Sequence, residues 1–307
     1  MIFLNIFLLA LGFAMLVKGA DWFVEGTAGI ARKMGIPQLV VGLTIVAMGT
    51  SAPEAAVSIT AALKGNAGIT IGNVVGSNIL NILIILGLTA LIRACTIQKS
   101  TFLIEIPFMI LVTVILLFMG KSGGEVTRLE GVLLWVLFIT YLAYLFVLAK
   151  KGEKDDSKEE RPVWKLLIYA VLGGVLVVWG SDVTVDSATV IAEAAGLSQR
   201  FIGLTIVALG TSLPELVTSL MAARKGNSDI AIGNIVGSNI FNILFVVGTS
   251  SLIIPVLFEA NFMIDTLVAI FAALLLWVAV IRTRKLTYSW GMVMLVTYAI
   301  YFVYLIS

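Results

Sequence analysis

The chain contains one 50-residue pattern twice, and this internal repeat constrains its fold more than any other feature. Residues 38–87 align without a gap to residues 199–248 at a constant offset of 161, and 31 of the 50 aligned positions are identical. Two segments are nearly unchanged between the copies: GLTIVAMGTSAPE at 42–54 with GLTIVALGTSLPE at 203–215, and IGNVVGSNILNIL at 71–83 with IGNIVGSNIFNIL at 232–244. Repetition at a fixed period predicts two copies of one structural unit.

The composition predicts that these units lie in a membrane. Of the 307 residues, 60% are hydrophobic and only 12% are charged, whereas about a quarter of the residues of a soluble domain are charged. The net charge of +2 is spread over short loops and does not indicate nucleic acid. We therefore expect a multi-pass protein of the cell membrane whose surroundings are lipid.

Ten apolar stretches approach the length of about 20 residues that a span requires. Six are uninterrupted: 2–17, 103–119, 132–148, 163–179, 263–281 and 290–306. Four contain small and polar residues: 39–63, 71–92, 201–223 and 230–257. The fold class predicted is an all-α polytopic membrane protein with ten transmembrane helices, some of them discontinuous.

The charged segment KKGEKDDSKEER divides these helices into five and five. We predict a first repeat at 1–149, a solvated linker at 150–162 and a second repeat at 163–307, with the repeated motifs at 38–87 and 199–248. Because five is odd, the second repeat must enter the membrane from the opposite side. Inverted repeats with interrupted helices at matching positions are typical of transporters whose site lies near the midplane.

The distribution of cations predicts the orientation. With both termini outside, fifteen Lys and Arg residues fall in inside loops and four in outside loops. Cytoplasmic loops carry the excess of Lys and Arg, so the linker is expected in the cytoplasm. The N-terminus has no basic residue before its apolar run, so we predict a retained first helix and no signal peptide.

Glu54 and Glu215 are the only carboxylates that the pattern puts deep inside spans, and they occupy equivalent positions of the repeat. Such a charge is costly in a membrane and usually faces a partner or an aqueous cavity. Pro53 and Pro214 precede them and should kink or unwind each helix. The backbone oxygens of Ala47 and Ala208, about two turns earlier, are then expected to turn inward.

Helical spacing adds further oxygen donors to each carboxylate. Residues three and four before each Glu share its face, and the next helix of each repeat adds a Ser and an Asn at i, i+4. The set is Thr50, Ser51, Ser77 and Asn81 in the first repeat and Thr211, Ser212, Ser238 and Asn242 in the second. The chain has no histidine and one cysteine, so the predicted cage contains oxygen only, which suits hard cations such as calcium. Hydrogen bonding between helices is the alternative role for each Ser and Asn.

Two other groups of residues are assigned ordinary roles. The glycines of two GxxxG pairs are expected to allow close helix packing: Gly72, Gly76, Gly233 and Gly237. The remaining acidic residues near span ends are expected to be solvated at the interface: Asp21, Glu25, Glu105, Asp182 and Asp186.

The segments GTSAPE and GTSLPE, each followed by GNxxGSN, resemble the alpha repeats of the calcium/cation antiporter superfamily, and the resemblance is to its prokaryotic sodium/calcium exchangers. It covers both repeats and the ten-helix layout. It implies exchange of sodium for calcium by alternating access, with sliding of the first and sixth helices, and with no cofactor and no obligatory protein partner. The family's ion-binding pattern falls on Glu54, Glu215, Ala47, Ala208 and the eight Ser, Thr and Asn residues above.

The resemblance also separates subfamilies. Potassium-dependent exchangers carry Asp where this chain has Asn242, so Asn there resembles the potassium-independent branch. With Asn81 and Asn242 neutral, the cage has two negative charges, which predicts net charge movement if three sodium ions exchange for one calcium. A proton/calcium exchanger is the alternative, and a channel is a further one. An intramembrane enzyme is disfavoured because no Lys or His stands near Ser51 or Ser212 as a base.

Overall fold

The computed structural model describes residues 2–65, 67–150, 161–194 and 208–306, and these residues are mostly helical. Most of the predicted linker at 150–162 and the first part of the second motif, at 199–207, lie outside the described residues. The helices are α1 (Ile2–Met34), α2 (Gln38–Thr50), α3 (Ala52–Leu63), α4 (Gly68–Ile92), α5 (Thr101–Gly123), α6 (Arg128–Lys150), α7 (Val163–Ala194), α8 (Ala208–Thr211), α9 (Leu213–Arg224), α10 (Ser228–Ile253), α11 (Ala260–Val280) and α12 (Tyr288–Ile306).

Eight of the described helices are long and apolar enough to cross a membrane, and α2 with α3 makes a ninth if the bent pair is one span. The expectation of a multi-pass helical protein is therefore confirmed. The tenth span was predicted at 201–223, where residues 201–207 are not described. The ten-helix inverted repeat thus stays a prediction.

Helices α1 and α7 are much longer than the apolar stretches that predicted them. The first was expected at 2–17, yet α1 continues to Met34. It ends where Gly35 adopts a φ of 66° and Pro37 follows, because a left-handed glycine and a nearby proline terminate helices. Polar residues such as Asp21 end an apolar window without ending a helix.

The two long helices cross at glycines. A Cβ atom added at Gly19 would lie 2.9 Å from the Gly173 carbonyl oxygen, and one added at Gly180 would lie 3.0 Å from that of Gly12. Gly12 and Gly173 are equivalent in the repeat, as are Gly19 and Gly180. The close approach requires residues without a Cβ, and α1 and α7 therefore form one packed pair.

Both proline motifs break their helices, as the sequence predicted. The axes of α2 and α3 differ by 50°, and Pro53 is the second residue of α3. In the second repeat the break lies at Ser212, before Pro214. The Gly210 carbonyl oxygen, freed by that proline, accepts a 2.7 Å hydrogen bond from Ser181.

Four two-residue strands depart from the all-helical prediction. β1 (Cys95–Thr96) pairs antiparallel with β4 (Lys285–Leu286), and β2 (Glu125–Val126) pairs with β3 (Val256–Leu257). Each pair joins the two halves of the chain at one end of the helices. We call the end with β1 and β4, where Lys33 also donates a 2.7 Å hydrogen bond to the Arg161 carbonyl oxygen, the linker face. The end with β2 and β3 is the opposite face.

The repeated helices α4 and α10 form the centre of the molecule, with α10 almost completely buried. Gly233 and Gly237 of α10 contact α2 closely: a Cβ at Gly237 would lie 2.7 Å from the Leu43 carbonyl oxygen. Close packing is thus confirmed for this GxxxG pair. A Cβ at Gly72 would meet the Phe262 ring at 3.3 Å, whereas no described atom lies within 4 Å at Gly76.

Candidate ion-binding site

The two predicted carboxylates lie where the helices break. Glu54 is the third residue of α3 and Glu215 the third residue of α9, and their exposures are 1% and 0%. A carboxylate in a first turn is stabilised by the positive end of the helix dipole and by the unpaired N–H groups there. The proline that breaks each helix therefore also creates a favourable local environment for the charge that follows it.

Each carboxylate is held by a serine from the other half of the chain. Ser51 donates a 2.6 Å hydrogen bond to Glu215 Oε1, and Ser212 donates a 3.4 Å bond to Glu54 Oε1. Ser238 Oγ lies 3.4 Å from Glu215 Oε1, and Ser77 lies beside Glu54. Both Oε2 atoms are buried without a hydrogen-bond partner, so each carboxylate has one anchored oxygen and one unpaired oxygen.

The asparagines of α4 and α10 repeat this arrangement. Asn81 donates to Asn239 Oδ1 at 2.9 Å, and Asn242 donates to Asn78 Oδ1 at 3.2 Å. The Oδ1 atoms of Asn81 and Asn242 are buried without a partner. Because their amide nitrogens are bound, these side chains offer oxygens only.

Two further asparagines were not singled out by the sequence analysis. Asn78 and Asn239 each donate a 3.1 Å hydrogen bond to the other's backbone oxygen, which ties the middles of α4 and α10 together. Their identity in both copies of GSN was the available signal. Periodicity alone did not reveal them, because they lie one residue from the Ser on a neighbouring face.

Asn73 and Asn234 were also missed, and they support the acidic helices. Asn234 donates to the Glu215 backbone oxygen at 3.4 Å and to Ser219 at 2.9 Å. Asn73 makes the equivalent bonds to the Glu54 backbone at 3.2 Å and to Ser58 at 2.9 Å. These bonds join each acidic helix to the following helix of its own repeat.

Other predicted residues have mixed surroundings. Thr50 is buried, and its hydroxyl lies 3.0 Å from both the Val46 carbonyl oxygen and Asn234 Oδ1, so it is already bonded. The Ala47 carbonyl oxygen accepts a 3.3 Å bond from Ser238, which agrees with the inward direction expected for it. Ala208 begins α8.

Thr211 is half-buried and lines a cavity of about 370 Å³. This cavity lies between α3 and α7 and also contains Pro53, Asp182 and Asp186. Its lining includes Pro53 and Thr211. These residues directly precede Glu54 and Ser212, which are hydrogen-bonded to each other at the site.

Among the acidic residues expected at the interface, Glu105 is an exception. It is 0% exposed and accepts a hydrogen bond from Tyr144. The expectation of interfacial solvation was wrong here, because Tyr144 of α6 covers the start of α5, which hydropathy does not register. Glu105 lies apart from the residues that surround Glu54 and Glu215.

The arrangement suits an oxygen-coordinated cation. Four buried oxygens lack partners at equivalent positions: Glu54 Oε2, Glu215 Oε2, Asn81 Oδ1 and Asn242 Oδ1. In the described part of the chain, no group of three or more His, Cys, Asp or Glu side chains is arranged to hold a metal. A site with two carboxylates and several neutral oxygens binds a hard cation yet is compatible with its release, which conduction and transport require.

Comparison with known proteins agrees with this chemistry. The family model described as sodium/calcium exchanger protein matches residues 4–147 and 165–307. The chain is 42% identical over 269 residues to the putative antiporter CaxA of Alkalimonas amylolytica, covering 85% of this chain and 84% of that protein. It is 33% identical to the sodium/calcium exchanger MaX1 of Methanosarcina acetivorans, with 99% of each chain covered. The solved structure of the sodium-calcium exchanger NCX_Mj superimposes with a TM-score of 0.87 at 33% identity, covering 98% of each chain.

Proposed function

Because the chain belongs to the sodium/calcium exchanger protein family, a family of membrane cation antiporters, we propose that it exchanges sodium for calcium by alternating access, independently of potassium and with net charge movement. The observation that carries this proposal is the set of four unpartnered oxygens on Glu54, Glu215, Asn81 and Asn242. Burying polar oxygens without partners is costly. A dehydrated cation would compensate them.

The ligand set proposed for calcium centres on the two carboxylates. Glu54 and Glu215 supply the charge, and Asn81 and Asn242 supply neutral oxygens. Ser51, Ser212, Ser77 and Ser238 hold the carboxylates in position and, while keeping these hydrogen bonds, direct the lone pairs of their hydroxyl oxygens to the ion. The ligand set is completed by oxygens that are proposed to bind sodium. These are the hydroxyls of Thr50 and Thr211 and the backbone oxygens of Ala47 and Ala208.

Coupling follows from the charge of the cage. Calcium neutralises the two carboxylates, whereas two uncompensated charges in a low-dielectric site disfavour movement through the membrane. Only loaded forms are then expected to switch, and this produces exchange rather than leak. Sodium competes for the same carboxylates, and three sodium ions on a cage of charge −2 carry one net positive charge.

The orientation and the repeat form part of the proposal. We propose ten spans in two inverted repeats, 1–149 and 163–307, with both termini outside and the linker at 150–162 in the cytoplasm. The strand pairs support the inversion: Cys95 and Val256, like Glu125 and Leu286, are equivalent at the offset of 161. The offset therefore relates β1 to β3 and β2 to β4, so that each strand pair corresponds to the other.

Calcium uptake into proteoliposomes tests the function. Sodium-loaded vesicles diluted into sodium-free buffer should accumulate calcium, and vesicles without a sodium gradient should not. A pH gradient in the absence of sodium should give no uptake. Uptake driven by pH alone would instead assign the chain as a proton/calcium exchanger, and a single-channel current would indicate a channel.

A further inference from the structure

Two lysines at equivalent positions of the repeat, Lys64 and Lys225, have very different surroundings. The Lys225 ammonium lies 2.7 Å from Asp21 Oδ1 and 3.4 Å from Glu25 Oε2, and it donates a 2.8 Å bond to the Asp21 backbone oxygen. Asp21 and Glu25 belong to α1, and Lys225 follows α9. These contacts therefore fasten α1 to α9 at the linker face.

The equivalent residues on the opposite face are not fastened. The offset of 161 relates Lys225 to Lys64, Asp21 to Asp182 and Glu25 to Asp186. Within the described ranges, Lys64, Asp182 and Asp186 make no ion pair, and all three are exposed. The same three charges are thus assembled at one face and separated at the other.

Apolar packing follows the same asymmetry. At the linker face, Leu16 and Ala20 of α1 pack with Val177 of α7, and three residues of α9 cover them. Those three are Leu213, Val217 and Met221. The result is a closed seam between α1 and α9 beneath Lys225.

At the opposite face the equivalent residues of α3 line open space. Ala52 and Ala56 line the cavity of about 370 Å³ that also contains Asp182 and Asp186. An adjoining cavity of about 660 Å³ shares Ala56 and contains Lys64. Lys64 and the two aspartates thus border adjoining cavities along α3, where the seam would close.

We propose that Lys225 and Lys64 are positioning residues that latch the α1–α7 pair in alternation: Lys225 on Asp21 and Glu25 when the linker face is closed, and Lys64 on Asp182 and Asp186 when the opposite face is closed. This inference rests on the proposed alternating access. Opening the linker face breaks the Lys225 contacts, and closing the opposite face forms the Lys64 contacts. Because the two latches contain the same charges, neither state is strongly favoured.

Other ion pairs at the linker face do not have to break. Arg161 pairs with Glu25 and lies just before α7, so this bridge joins the two helices that move together. Lys18 pairs with Asp21 at 3.1 Å within α1 itself. The Lys225 contacts, by contrast, cross from the α1–α7 pair to the end of α9, and Lys18 offers a matched control.

Thiol accessibility tests the latches without requiring transport. In a Cys95→Ala background, one cysteine is introduced at Ala56, in the opposite-face cavity, or at the equivalent Val217, in the linker-face seam. The purified protein in lipid nanodiscs is treated with a membrane-impermeant methanethiosulfonate that reaches both faces. We expect Lys225→Gln to speed modification at 217 and slow it at 56, each by about two- to fivefold, because the two ion pairs it removes are partly exposed and each contributes little.

Two further variants are expected to change the modification rates in the opposite direction or to leave them unchanged. Lys64→Gln should slow modification at 217 and speed it at 56, and Lys18→Gln should change neither rate. Removing a nearby cation lowers the thiolate fraction, so a faster reaction at 217 reports exposure and not altered thiol chemistry. Thermal stability within the range of the parent confirms that each variant is folded.

Three outcomes would overturn the proposal: an unchanged rate at 217 in Lys225→Gln, an equal change in Lys18→Gln, or a Lys64→Gln effect of the same sign. Since the readout involves no ion flux, these outcomes are distinct from failure of the sodium/calcium assignment. A chain that exchanged protons for calcium would still show the latch effects.

Discussion

Ser51, at the break between α2 and α3, donates a 2.6 Å hydrogen bond to Glu215, which lies 164 positions later in the chain. The reciprocal pair, Ser212 with Glu54, is longer at 3.4 Å. Each carboxylate therefore depends for its orientation on the other half of the chain. Neither half supplies both partners of these hydrogen bonds, so the breaks in both halves must meet for the proposed cation site to form.

Replacing either carboxylate by its amide should abolish calcium exchange. Each of Glu54→Gln and Glu215→Gln keeps the shape but removes half of the charge that compensates calcium, which leaves a divalent ion poorly neutralised in a buried, low-dielectric site. Calcium flux in proteoliposomes measures the effect. The matched control is Glu105→Gln, a buried carboxylate outside the cage, which should retain exchange. Near-normal flux in either cage variant would contradict the ligand assignment.

Removing the Ser51 hydroxyl should weaken calcium binding more than removing the Ser212 hydroxyl. A hydrogen bond to a charged group contributes about 1.5–3 kcal/mol, so Ser51→Ala should lower apparent calcium affinity by about tenfold or more. Ser212→Ala should have a smaller effect because its bond is longer. The calcium concentration for half-maximal flux measures both, and Ser51→Thr, which keeps a hydroxyl, is the control. Equal effects of the two alanine variants would argue against this bond's role.

Calcium exchange should not require potassium. The side chain at 242 is a neutral Asn whose nitrogen is bound to Asn78, so it adds no third charge to the cage. Sodium-driven calcium uptake is compared with and without potassium on both sides of the vesicle. A strict potassium requirement would show that residue 242 does not decide potassium use. Asn242→Asp adds a charge and should alter ion coupling.

Turnover should move net charge in the direction of sodium. With only two carboxylates, the calcium-loaded cage is neutral and a cage with three sodium ions carries one positive charge. Each charge that crosses the membrane gains about 2.3 kcal/mol per 100 mV, so an inside-negative potential should favour sodium entry and calcium exit. The reversal potential, set with potassium and valinomycin, is the quantity to measure. A reversal point independent of voltage would mean two sodium ions per calcium.

The sequence by itself determined the helices, the breaks and the residue types of the site. Local physics is sufficient for these: a proline interrupts its own helix, as at Pro53, and apolar length indicates a span. Equivalence of the repeats then singled out Glu54 and Glu215 as candidate ligands. The ends of α1 and α7 escaped prediction because polar residues such as Asp21 interrupt an apolar window while the helix continues.

Tertiary structure alone decided which oxygens are paired and which face is fastened. Asn78 and Asn239 bond to each other across 161 positions; the repeat of GSN marks both residues, but it does not say which atoms they bind. Lys64 and Lys225 stand in the same KGN segment, yet only Lys225 is paired with acidic residues of α1. Identical sequences have the same local preferences, whereas their contacts depend on the position of the α1–α7 pair. That position is a property of the packed molecule.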